Sequence, residues 1–315
     1  MIFSQASALW LASQSRYLAP GTLRNYRRIV RALELWAGKR PLAQIDKLAL
    51  QEFFRSRKVS QNTAHKETQT VRSIFAFLEE QKYLAVSPAR CLKAPRFRPP
   101  DNRPYTQEEI IRILAAVDTI GRHFYERQRV RAAILLMRHH ALRISDVVLL
   151  RRDAVQAGRL RVITQKTKTA IDHRAVPEVV EALERLPVPL RAVEPSQFFF
   201  WSGRGSWTST AANLSATLRS VYRASKVQGA HSHRFRHTRA SEILAVGGSI
   251  EDAARFLGIS PRITALHYIK FMPEHQVRID NLMERLLCRD HNAPGGDASG
   301  RSTVPAFAAD TTAGE

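Results

Sequence analysis

Residues 93–105 read KAPRFRPPDNRPY, and this stretch decides how the rest of the chain is divided. Four prolines and four basic residues fall within it. Proline removes a backbone donor and pushes the residue before it out of the helical region. These prolines disfavour a helix, and an extended basic connector is expected, able to lie along a DNA backbone.

Upstream, residues 1–92 read as a small bundle of about four helices. From Thr22, the expected N-cap, Leu23, Tyr26, Ile29, Val30, Leu33 and Trp36 recur at helical spacing. Arg24, Arg27, Arg28 and Arg31 fill other positions, either as a solvated face or as phosphate contacts, and Arg96 and Arg98 extend the basic character into the connector. A second helix is expected from Asp46, carrying Leu48, Leu50, Phe53 and Phe54. A third is expected over 62–81, with Val71, Ile74, Phe75 and Leu78 on one stripe.

Downstream the pattern is mixed. Thr106 and Glu109 form a capping box ahead of Ile110, Ile113, Leu114 and Val117. An apolar helix is expected over 130–139 and a short one from Arg143 to Leu150. Strands are expected over 159–164 and 171–176, around the polar turn QKTKTAIDH. Residues 197–201 (QFFFW) read as a short buried strand or turn. The chain is helical again from Thr208, ending in an amphipathic segment over 274–287. Residues 289–315 lack periodicity and are expected to be disordered. The expected fold is mainly α with a small β-hairpin or sheet: a helical domain (1–92), a linker (93–105), an α+β domain (106–288) and a tail.

The 315 residues hold 49 Lys plus Arg against 28 Asp plus Glu, a formal charge of +21. Such an excess implies a polyanionic partner, nucleic acid or an anionic membrane face. No apolar run approaches the roughly 20 residues that span a bilayer, and the start of the chain lacks the pattern of a secretory signal. Cys91 and Cys288 are too few for a disulfide framework, which fits a reducing cytoplasm. DNA is the expected partner.

Three clusters in the second domain bear chemistry. ALRISDVVLL (141–150) places Arg143 and Asp146 one helical turn apart. HSHRFRHT (231–238) gathers His231, His233, Arg234, Arg236 and His237. FLGISPRITALHYIKF (256–271) contains Tyr268. His233 and His237 have zinc-ligand spacing, but the arginines between and beside them disfavour a cation and suit an anion such as a phosphodiester.

In this order the clusters resemble the signature of the tyrosine recombinases, the phage-integrase family of site-specific DNA strand-exchange enzymes, and the likeness spans almost the whole chain. It implies a core-binding domain at 1–92 and a catalytic domain at 104–288. The family's first catalytic arginine falls on Arg143, with Asp146 supporting it. Its H-x-x-R-H box falls on His233, Arg236 and His237, and its nucleophile on Tyr268. The hairpin lysine is Lys168 or Lys166; alternation along a hairpin does not separate them, and the distance to Ala175-Val176-Pro177 favours Lys168. At Ile259 this chain departs from the family, which has His or sometimes Trp donating to the scissile phosphate there. Three accounts are open: a slow enzyme, compensation by His267 or His237, or action beside a more active partner. The resemblance further implies a 3′-phosphotyrosyl intermediate, no metal or ATP, and assembly on duplex DNA sites as a homotetramer or with sister recombinases. It implies cytoplasmic action on the bacterial nucleoid and a role in a mobile element or phage. The 274–287 segment would dock on its own domain or on a neighbouring protomer. A catalytically weakened accessory protein and a type IB-like topoisomerase are the alternatives.

Overall fold

The computed structural model describes residues 1–96, 103–120, 123–189, 191–193, 197–268 and 283–285. They form two units, Met1–Asp101 and Asn102–Glu315, so the division falls inside the proline-rich stretch. Arg98, the tail and all of the 274–287 segment except 283–285 lie outside the described residues.

The first unit contains α1 (Phe3–Ser15), α2 (Pro20–Ala37), α3 (Lys47–Ser56) and α4 (Gln61–Glu80). Their apolar stripes meet in a core of Phe3, Trp10, Leu33, Leu50, Phe53 and Phe75. The helix expected from Thr22 begins earlier, at Pro20. A proline at the first helical position loses no hydrogen bond, and the Thr22 N–H already donates to the Ala19 carbonyl at 2.9 Å. Asp46 caps α3 as expected, accepting from the Ala49 N–H at 2.8 Å. Arg57 grips the buried Glu67 through two nitrogens, at 2.6 and 3.1 Å.

The second unit begins with α5 (Gln107–Thr119), opened by the reciprocal Thr106–Glu109 capping box. It continues through α6 (Phe124–His140) and α7 (Ile144–Val148). The antiparallel strands β1 (Val155–Gln156), β2 (Arg159–Ile163) and β3 (Ala170–Arg174) follow in the order β1-β2-β3. Then come α8 (Pro177–Glu184), α9 (Trp207–Ala224), α10 (Ser232–Ala245), α11 (Ile250–Leu257) and α12 (Pro261–Tyr268). Ile113, Ile134, Leu136, Leu160, Leu218 and Phe235 form its main core.

Several boundaries differ from expectation. The helix expected from Val130 starts at Phe124, because its first turns carry Arg127, Arg129 and Arg131 and so lack an apolar stripe. Both strands stop short, at Ile163 and Arg174. Val176 is instead the N-cap of α8, with Pro177 at its first position. The two-residue β1 is too short for alternation to show.

Candidate active site

The site starts where α6 ends. Ala141 takes a left-handed conformation (φ 53°, ψ 28°), turning the chain so that Arg143 becomes the N-cap of α7. Asp146, fully buried, divides its two oxygens between partners. Oδ2 accepts from the Arg143 N–H at 3.3 Å and stands 3.9 Å from Arg143 Nη1. Oδ1 accepts from the Gln165 N–H at 2.7 Å. One carboxylate therefore holds both the arginine and the start of the β2–β3 turn. Arg143 Nη1 is buried and has no hydrogen-bond partner.

On α10, positions 233, 236 and 237 are three and four residues apart and so share a face. Arg236 is buried and donates through Nη1 to the Ala141 carbonyl at 2.7 Å and through Nη2 to the Leu257 carbonyl. The His233 and His237 rings meet edge to face, with centroids 4.8 Å apart. Packing around the His233 ring, followed by the charges of His237, Arg236, Arg143 and His231, pushes its pKa well below the ordinary histidine value. The residue keeps a face open to solvent, which tempers the shift without reversing it. The direction of the shift favours the uncharged imidazole.

Arg143, Arg236 and His233 line one cleft of about 300 Å³, closed by Leu142, Ile144, Ser145 and Ser232. Arg234 has a different task. Its guanidinium binds the carbonyls of Arg103, Pro104 and Gln228, pairs with Glu109 at 2.7 Å and lies 4.1 Å from the Tyr105 ring centroid.

Lys166 and Lys168 are both exposed and lie in a turn, residues 164–169, between the shortened strands. A face shared along a hairpin does not apply there. Lys168 adopts φ 55°, and its Nζ donates to Gln165 Oε1 at 3.0 Å. That links Lys168 to the residue whose N–H Asp146 holds.

Ile259 is half-buried and packs on a small cluster of Ala141, Ala240, Leu244, Ala253 and Leu257. An aliphatic side chain suits those walls. Tyr268 ends α12, which starts after Ser260, whose carbonyl accepts from the Ile263 and Thr264 N–H groups. The side chains of His267 and Tyr268 lie outside the described residues. Two other tyrosines of this unit are poor nucleophiles. The Tyr105 hydroxyl is bonded to the His231 backbone and burial pushes its pKa up to about 12. The Tyr222 hydroxyl pairs with Ser232 and is raised further, again by burial.

Sequence reasoning missed a layer behind the cleft. The His140, His173 and Phe256 rings stack in a column, with centroids 5.7 and 3.9 Å apart. Thr164 and Thr167 bond within the turn. The His pair at 139–140 was a visible signal, but its partner at 173 is adjacent only in the fold.

The Phage integrase family matches residues 104–275, and the Phage integrase N-terminal SAM-like domain matches residues 10–82. A Tyrosine recombinase XerC from Xanthomonas campestris pv. campestris (strain B100) is 26% identical over 274 residues, covering 84% of this chain and 83% of that protein. One from Xylella fastidiosa (strain M23) is 25% identical over 260 residues, covering 77% and 83%. Among solved structures, a lambda integrase fragment bound as a dimer to a COC′ core site aligns with a TM-score of 0.68 at 15% identity, covering 84% of this chain and 97% of that one. The Tn1549 transposon integrase in complex with transposon right end DNA aligns at 0.66 and 17% identity, covering 91% and 100%. These two structures show a shared fold.

Proposed function

The chain belongs to the phage integrase family and is a tyrosine-type site-specific recombinase; from that premise we propose that it cuts and rejoins duplex DNA through a 3′-phosphotyrosyl bond on Tyr268, in the service of a mobile element or phage. The observation that carries the chemistry is the cleft in which Arg143 and Arg236 meet beside His233, with a buried Arg143 nitrogen lacking a hydrogen-bond partner. A buried cationic donor without a hydrogen bond is costly, and a phosphate oxygen can accept one.

A phosphodiester repels nucleophiles with its own charge. The two guanidinium groups bind its non-bridging oxygens and neutralise the charge that grows in the transition state. Tyr268 attacks phosphorus; its phenol, of ordinary pKa about 10, gives its proton to neutral His233. The bond to the 5′ oxygen breaks as Lys168 protonates that oxygen. The covalent link conserves the bond energy, so rejoining needs no ATP. The arginines and lysine supply the positive charge that metal ions supply in other phosphoryl-transfer sites, so the reaction is expected to proceed in chelator.

In the first unit, Arg24, Arg27, Arg28 and Arg31 are exposed on α2, and Arg96 is exposed beyond the end of α4. α2 and α4 also line a polar recess with Asn25, Arg28, Asn62, Lys66 and Gln69. Cations for phosphates and amides for base edges fit a duplex DNA partner. The lambda integrase tetramer bound to a Holliday junction supports a tetrameric assembly here. Where the DNA is, in the cytoplasm, is where the chain would act; among the described residues no helix is long and apolar enough to cross a membrane.

The test is a nicked suicide fragment from DNA flanking the gene, incubated with the protein in chelator. The expected result is a covalent adduct on a denaturing gel, lost in Tyr268→Phe with DNA affinity retained. Specific binding with no adduct contradicts the reading and favours the accessory role that Ile259 suggests.

A further inference from the structure

The last carbonyls of α11 are the junction of the site. A helix end leaves its final carbonyls without intrahelical partners. Here the Gly258 and Ile259 N–H groups fold back onto the Arg255 and Ala254 carbonyls, with Gly258 left-handed at φ 59°. The next three carbonyls are taken by side chains from elsewhere. His173 Nε2 donates to Phe256 at 3.0 Å, Arg236 donates to Leu257, and the Thr167 hydroxyl donates to Gly258 at 2.9 Å. One helix end thus receives the strand β3, a cleft arginine and the tip of the lysine turn on consecutive residues.

Hydroxyl groups also knit the turn together internally. The Thr167 hydroxyl has a single proton, and it goes to Gly258. The Thr164 hydroxyl, also with one proton, has two acceptors within reach, Thr167 Oγ1 at 2.7 Å and the Thr169 carbonyl at 3.1 Å. Thr164, almost fully buried, accepts in turn from the Thr169 N–H at 3.1 Å. Thr164 thus ties Thr167 to Thr169 within the turn, and Thr167 ties the turn to Gly258. The backbone at 258 sits close under the turn: a Cβ there would meet Ile171 Cγ2 at 3.0 Å and Thr164 Cγ2 at 3.4 Å.

We propose that Thr167 is a positioning residue for strand cleavage: its hydroxyl clamps the 164–169 turn to the Gly258 carbonyl, setting the turn's lysine against Arg236, which is held by the adjacent carbonyl. The inference rests on the recombinase reading, in which the lysine delivers a proton to the departing 5′ oxygen.

The test uses the full chain, Thr167→Val and Thr167→Ser, on two suicide substrates. One has an ordinary scissile phosphodiester. In the other, sulfur replaces the bridging 5′ oxygen. A thiol has a pKa of only about 8.5, so a thiolate departs without a proton donor. Thr167→Val is expected to form adduct about tenfold or more slowly on the oxygen substrate, to regain the wild-type rate on the sulfur substrate, and to bind DNA as the wild type does. Thr167→Ser, which keeps the hydroxyl, is expected to match the wild type on both. Equal loss on both substrates, or no loss on either, overturns the proposal. Hydrogen exchange supplies a readout independent of chemistry: the Lys168 and Thr169 amides should exchange faster in Thr167→Val. If the wild type forms no adduct on either substrate, the recombinase reading is what fails, and unchanged exchange at these amides overturns the clamp itself.

Discussion

Arg234 and Arg236 stand two positions apart on α10, about 200° apart around the helix, and their contacts diverge accordingly. Arg236 reaches Ala141 and Leu257 at the cleft, whereas Arg234 reaches back to residues 103–105 and Glu109. The spacing of His233, Arg236 and His237 made their common face legible in the sequence. Nothing local in HSHRFRHT marked Arg234 as the residue that fastens the start of the unit, because Arg103, Pro104 and Glu109 lie more than a hundred residues away. Arg234→Ala leaves Glu109 and three carbonyls behind without their donor. It is expected to destabilise the second unit by about 3 kcal/mol, read as a loss in a urea melt, while adduct formation per folded molecule is retained. A variant with wild-type stability and no adduct would mean that Arg234 belongs to the chemistry. Ile259 is the opposite case: its departure from the family was visible in the sequence, but the apolar pocket that receives it was not.

Helices were legible as elements wherever an apolar stripe ran for several turns, as in α2, α4 and α5. Of the short elements, α7 was legible, but β1, α8 and the ends of β2 and β3 were not, because they depend on tertiary pairing and on the Val176–Pro177 cap. The histidine column joins three elements, α6 through His140, β3 through His173 and α11 through Phe256. Burial pushes His140 down to about 3 and His173 down to about 4. Arg239 and His139 also face His140; Asp172, Arg159 and Arg236 also face His173. Both folded values are below the ordinary value of about 6.5, so the unfolded chain binds protons first. The stability they contribute is therefore complete above pH of about 6.5 and is lost as pH falls towards the folded values. Between pH 7.5 and 5, urea melts should show stability falling by up to about 1.4 kcal/mol per pH unit for each histidine. The shifted carboxylates, lying lower still, contribute little in that window. In His140→Leu the slope should flatten. An unchanged slope would assign the acid sensitivity to other groups.

For the molecule as a whole, the +21 charge and the proline-rich stretch at 93–105 conveyed a two-part, polyanion-seeking chain before any motif was read. The cleft was legible as residue types in order, but the two features that tie it together were not. Asp146 splits its oxygens between Arg143 and the lysine turn, and α11 offers consecutive carbonyls to His173, Arg236 and Thr167; both arise only when distant segments meet. The proposed chemistry makes Tyr268 the residue that bonds to DNA. The most direct measurement traps the adduct, trims the DNA with nuclease, digests the protein with trypsin and sequences the modified peptide by mass spectrometry. Cleavage after Arg262 and Lys270 isolates residues 263–270, ITALHYIK, with a single tyrosine. The expected product is a nucleotide joined through its 3′ phosphate to Tyr268. A nucleotide on any other residue, or one joined through a 5′ phosphate, would contradict that chemistry.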